Sequence, residues 1–114
     1  MKSAITTHVL DTSLGRPGAG MPVRLDMQGN GETWTELAQG VTDANGRLET
    51  LLPEEKLADG VYRLTFDTDA YFRSRNMLAF FPSVRIVFSV RDAKQHYHIP
   101  LLLSPYGYST YRGS

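Results

Sequence analysis

Apolar and polar residues alternate with a period of two in several separate segments of this chain, which restricts it to strands that each bury one face. Met21, Val23, Leu25 and Met27 alternate with Pro22, Arg24, Asp26 and Gln28. Tyr62, Leu64 and Phe66 alternate with Val61, Arg63 and Thr65, and Val84, Ile86, Phe88 and Val90 alternate with Ser83, Arg85 and Ser89. One apolar face per strand is the pattern of antiparallel sheets with one side on a core. Turn residues punctuate these runs at short intervals, at Gly15 to Gly20, Gln28 to Gly31, Asp43 to Gly46 and Pro105 to Gly107, a spacing that suggests a sandwich or barrel.

The predicted strands span 4–11, 21–28, 33–41, 46–51, 60–67, 82–91, 95–103 and 107–112. One short helix is expected over 68–76, with Asp69 near its start and Arg73 and Arg75 near its end, the order that suits the helix dipole. The predicted fold is therefore all-β, a sandwich of two antiparallel sheets with about eight strands and one helix. No linker or repeat divides the 114 residues, so a single domain over 1–114 is expected.

Charge excludes some partners. Twelve basic residues balance twelve acidic ones, so no net field draws the chain to nucleic acid or to an anionic membrane. The absence of cysteine removes disulfides, thiolate metal sites and thiol nucleophiles, which fits the cytosol. A cytoplasmic location is expected, or a periplasmic one where a leader has been cut away.

Chemistry concentrates near the two ends. All three histidines, His8, His96 and His98, fall in predicted strands. In the strand 95–103 the alternation puts Tyr97, Ile99, Leu101 and Leu103 on one face and His96, His98, Pro100 and Leu102 on the other. The first strand similarly places Ile5 and Val9 opposite Thr6, His8 and Leu10. If these strands are neighbours, the histidines gather on the outer face of one sheet, beside Leu10, Pro100 and Leu102, and so mark a pocket or a subunit contact. Three readings follow: ordinary surface histidines, acid/base chemistry by an imidazole, or a metal site built from His-x-His and a third histidine.

Asp43-Ala-Asn-Gly-Arg47 lacks the later ligands of a calcium loop and reads better as a tight hairpin turn with positive φ. It presents Arg47, whose planar, permanently charged fork suits a carbonyl or a developing oxyanion. The ending Ser104-Pro-Tyr-Gly-Tyr-Ser-Thr-Tyr-Arg-Gly-Ser114 is rich in aromatic and hydroxyl groups, unlike a loose polar tail, and should fold back onto the body. Nucleophile elbows, phosphate loops, HExxH motifs and dinucleotide fingerprints are missing.

Three segments, Ile5-Thr-Thr-His-Val-Leu-Asp-Thr12, His96-Tyr-His-Ile-Pro-Leu-Leu-Leu-Ser-Pro105 and the terminal Tyr-Arg-Gly-Ser, resemble the signatures of 5-hydroxyisourate hydrolases, the transthyretin-related enzymes. The resemblance runs from about residue 4 to 114. The terminal tetrapeptide discriminates most, because transthyretin shares the fold but lacks that ending and the catalytic histidines. Gly18, where alanine is familiar, and Tyr106, where phenylalanine is common, are the small departures.

The resemblance implies a prealbumin-like sandwich, paired through edge strands into dimers and then into a homotetramer with its active sites in the channel between dimers. It implies hydrolytic ring opening of 5-hydroxyisourate to 2-oxo-4-hydroxy-4-carboxy-5-ureidoimidazoline, with no metal and no cofactor. His8, Arg47 and His98 are the catalytic positions, with His98 as base oriented by His8 and Arg47 holding the oxyanion. Tyr111, Arg112, Gly113 and Ser114 bind substrate, and His96 is a neighbour in the same strand. The competing expectations are a non-catalytic small-ligand binding module of the same fold and a zinc enzyme using His8, His96 and His98.

Overall fold

In the computed structural model, which describes residues 3–114, the alternating segments form two stacked sheets. The first contains β1 (Ile5–Asp11), β2 (Arg16–Pro17), β5 (Arg47–Leu48), β8 (Tyr97–Ser104) and β9 (Gly107–Thr110). The second has the order β4-β3-β6-β7, built from β4 (Trp34–Val41), β3 (Pro22–Gln28), β6 (Gly60–Phe66) and β7 (Val84–Val90). The faces assigned by alternation are those found: Val23, Leu25, Tyr62, Leu64, Phe66, Val84 and Val90 point inward from the second sheet. They meet Ile5, Val9, Tyr97, Ile99, Leu101 and Leu103 from the first in one core.

Every pairing in the second sheet is antiparallel, whereas β1 and β8 run parallel with seven residues in register from Ile5↔Tyr97 to Asp11↔Leu103. A parallel pair needs a crossover connection; here almost the whole chain is that crossover, so the beginning and end of the sequence share one ladder. Thr7, fully buried, donates its hydroxyl to the Ile99 carbonyl at 2.6 Å and fixes this register.

Several boundaries differ from the sequence reading for local reasons. Residues expected to form only a turn contain β2, because the chain doubles back along the edge of β1 at Leu10↔Pro17 and Asp11↔Arg16. Gly18 follows directly, and a Cβ there would lie 2.5 Å from Val9 Cγ1, so in this chain the position has no room for alanine without movement of Val9. The segment 46–51 keeps only the two residues of β5. The Asn45-Gly46 turn is tight, with Gly46 at φ 76°, but it joins β4 of one sheet to β5 of the other rather than two paired strands.

The helix, α1 (Thr68–Arg73), is shorter than expected and is capped by Asp67, whose carboxylate accepts from the Ala70 N–H. Its Tyr71 reaches the other sheet, donating to the buried Asp11 carboxylate at 2.7 Å, while Arg75 lies 3.8 Å over the Tyr71 ring. Burial, and then the bond to Asp11, raise the Tyr71 pKa well above its ordinary value. The phenol is therefore a permanent donor at any physiological pH. Tyr71→Phe should lower unfolding stability by about 1–3 kcal/mol, because Asp11 stays buried with one donor fewer; a denaturant titration of both proteins measures it.

Candidate active site

β1 is flanked by β8 on one side and β5 on the other, and its outer face therefore collects side chains from three strands. Thr6 stands opposite His98 and His8 opposite Pro100 across the parallel ladder, while Arg47 stands opposite His8 across the antiparallel one. His8 and His98 are half-buried and Arg47 is exposed. The outer histidine face expected from alternation is thus formed, and Arg47 is delivered to it by the Asp43–Arg47 turn. In that turn the Asp43 carboxylate accepts from the Asn45 and Arg47 N–H groups at 2.8 and 3.0 Å, leaving the segment an Asx turn with no cation-binding character.

Hydrogen-bond partners fix the histidine rings. His8 Nε2 lies 3.0 Å from the Asn45 carbonyl oxygen. A carbonyl only accepts, so Nε2 carries the proton and the neutral ring keeps its lone pair on Nδ1. His98 Nδ1 lies 2.8 Å from the Thr6 hydroxyl, which also touches His96 Nε2 at 3.0 Å. The hydrogen bond that orients His98 thus comes from Thr6, where the sequence pointed to His8. Thr6 was visible on the histidine face of the first strand, but nothing in its own identity announced the contact.

His96 itself precedes β8 and is exposed, although it shares the Thr6 contact. Among the described residues no three His, Cys, Asp or Glu side chains converge as a metal site requires. The zinc arrangement expected from three histidines is not the geometry found, since ring nitrogens of all three are directed to Asn45 and Thr6 instead of to a common point.

The tail does fold back. Pro100 interrupts the β8–β9 ladder, having no N–H to give, and its carbonyl is taken by the Thr110 hydroxyl at 2.7 Å. Beyond this lapse the Gly113 N–H bonds the His98 carbonyl at 2.8 Å. A Cβ at Gly113 would stand 2.6 Å from His98 Cδ2, so the glycine lets the backbone lie against the ring. Ser114 follows as the exposed last residue. Tyr111 and Arg112 line a different hollow, with Tyr97 and Ile99 of β8 and Ile86 and Phe88 of β7. The Arg112 guanidinium donates to Gln95 Oε1 at 2.8 Å and to the His96 carbonyl at 3.3 Å, and lies 4.5 Å from the centre of the Tyr97 ring.

Electrostatics favour the neutral form of His98. Burial lowers its pKa from the usual 6.5, and the positive charges of Arg47, His8 and His96 lower it further, against a smaller opposing pull from Glu49. Its neutral form therefore dominates near pH 7. An NMR titration of the imidazole should give a His98 midpoint below 6.5, and Arg47→Gln, by removing a cation, should move that midpoint upward.

Comparison with known proteins agrees with this fold. The model of the HIUase/Transthyretin family matches residues 5–113. A probable 5-hydroxyisourate hydrolase of Caenorhabditis elegans is 46% identical over 112 residues, covering 98% of this chain and 82% of the relative. The structure of Klebsiella pneumoniae 5-hydroxyisourate hydrolase superimposes with a TM-score of 0.83 at 38% identity, covering 96% of this chain and 98% of that one. Sea bream transthyretin, solved with thyroxine, gives a TM-score of 0.91 at 32% identity over 96% of this chain and 94% of its own. A family match spanning nearly every residue, on a sandwich of the same architecture, establishes that the chain belongs to the HIUase/Transthyretin family.

Proposed function

We propose that this protein hydrolyses 5-hydroxyisourate to 2-oxo-4-hydroxy-4-carboxy-5-ureidoimidazoline, a ring opening in urate degradation. The observation that carries the reading is the convergence of His8, Arg47 and His98 from three strands on one outer face, with His98 held toward its neutral form. Relatives named for this reaction share more of the sequence than the transthyretin neighbour does, at 46% against 32% identity. The Tyr-Arg-Gly-Ser ending also favours the hydrolase over a non-catalytic binding module.

In the mechanism, His98 Nε2 removes a proton from water as the oxygen attacks the carbonyl carbon of the six-membered ring. Arg47 stabilises the negative charge that develops on the carbonyl oxygen and orients the planar substrate. The imidazolium of His98 then returns its proton to the ring nitrogen as the C–N bond breaks, leaving a carboxyl group on carbon and N–H on the departing nitrogen. His8, with its proton on Nε2, presents Nδ1 as an acceptor that holds a water or substrate N–H in place.

Of the tail residues expected to bind substrate, Gly113 presses on the His98 ring and leads to Ser114, while Arg112 anchors the tail to Gln95 and His96 and, with Tyr111, packs in the hollow beside β7, so these two support the wall from behind. The whole chain acts as one domain. Assembly into a homotetramer, with the edge strands β7 and β9 pairing with a second copy and the histidine faces closing on each other, would shield the exposed Arg47 and Ser114 from bulk water.

The test is to generate 5-hydroxyisourate from urate with urate oxidase and follow its ultraviolet decay. The protein should accelerate the decay far above background, with activity falling on the acid side as His98 takes up its proton below pH 6.5. His98→Ala should lower turnover by about 10²- to 10⁴-fold; full activity in that variant would remove His98 from the role of base. Gly113→Ala should also slow turnover, because the added methyl displaces the His98 ring, and the same assay reads it.

A further inference from the structure

The Thr6 hydroxyl has one proton to give, yet it touches two imidazole nitrogens, His96 Nε2 and His98 Nδ1. Among the described residues these two rings are the only hydrogen-bond partners of the buried hydroxyl, so its proton finds an acceptor only if one ring accepts from it while the other donates to it, and the two tautomers are thereby linked. We propose that His96, acting through Thr6, sets the tautomer of His98 and is a positioning residue for the hydrolysis. This rests on His98 being the base, as proposed above, and adds the group that keeps its Nε2 free.

Two arrangements satisfy the protons. In the first, His98 Nδ1–H donates to Thr6 and Thr6 donates to His96 Nε2, so His98 Nε2 keeps its lone pair for water. In the second, His96 Nε2–H donates to Thr6 and Thr6 donates to His98 Nδ1. A neutral His98 then carries its proton on Nε2, where it cannot act as a base.

The reaction selects the first arrangement twice. Before the proton transfer it is the one that frees Nε2. After the transfer His98 is an imidazolium with protons on both nitrogens, so Thr6 must accept from Nδ1 and direct its own proton toward His96. The base step and the acid step thus use one hydroxyl orientation, and nothing has to turn between them. Neutral His96 supplies the required acceptor. Protonated His96 has no lone pair and would reverse the chain.

The surroundings hold this chain in place. Thr6 is 1% exposed, so water does not compete for its hydroxyl, and the parallel register puts it directly beside His98. His96 lies on the exposed rim, where the Arg112 guanidinium takes its backbone carbonyl and ties the tail to the same segment.

Long-range ¹⁵N NMR of the histidines, at a pH where His98 is neutral, reads the tautomer without reference to turnover. The wild-type protein should show His98 with its proton on Nδ1. In His96→Leu and in Thr6→Val the Nε2–H form should grow, and kcat should fall by ~10- to 100-fold, the scale of losing a partner that orients a histidine, with KM little changed. Thr6→Ser, which keeps the hydroxyl, should recover most of what Thr6→Val loses in both readouts. A His98 tautomer unaltered in His96→Leu, or an unaltered kcat, would overturn the proposal. Failure of the wild-type protein to hydrolyse 5-hydroxyisourate would overturn the functional reading instead, and the NMR comparison would still decide whether His96 governs the His98 tautomer.

Discussion

The parallel pairing of β1 with β8 is the contact on which the rest of the molecule depends. It closes the longest loop in the chain, and the conformational entropy of that closure is offset by seven residues of ladder and by the buried Thr7 hydroxyl on the Ile99 carbonyl. The same pairing brings Thr6 to His98 on the outer face while Ile5, Val9, Ile99 and Leu101 enter the core on the inner one. Core and site are thus two faces of a single register. Because side chains alternate with period two, a one-residue slip would send His8 and His98 inward and break both at once.

Around that ladder the polar groups are ordered by what each atom can donate or accept. The Asn45 carbonyl defines His8, the Thr6 hydroxyl couples His96 to His98, and the Gly113 backbone presses on the His98 ring. Arg47 adds a charge that both suits an oxyanion and depresses the His98 pKa. In the proposed mechanism one guanidinium would thus act twice, by keeping His98 unprotonated and by stabilising the charge that the attack creates. The Asn45 carbonyl orients one ring and the Thr6 hydroxyl the other two, and both partners are brought to the rings by strand register.

Buried polar contacts also tie the two sheets together. Tyr71 on α1 donates to Asp11 on β1 across the sandwich. Asp26, on the face that alternation assigned to solvent, is 3% exposed because Arg24 and Arg63 close over it, and Arg63 in turn stacks 4.3 Å over Trp34. A bulge between Leu25 and Asp26 accompanies this burial. Period-two patterning assigns a face correctly but cannot say when charged neighbours will cover a residue on the outer one.

The sequence by itself determined the all-β class, the inward faces of Val23, Leu25, Tyr62, Leu64 and Phe66, and the common outward face of His8 and His98, because alternation is a local property that needs no knowledge of partners. Its motifs also pointed to the family, through segments at the two ends of the chain. Tertiary structure alone decided that β1 and β8 are parallel, that β2 exists, that the Asn45-Gly46 turn bridges two sheets, and that Thr6 rather than His8 holds His98. The parallel ladder and the Thr6 contact depend on residues about ninety positions apart meeting at a particular register. Which hydroxyl reaches which ring nitrogen is settled by ångström-scale contact between distant strands, and no local pattern encodes it.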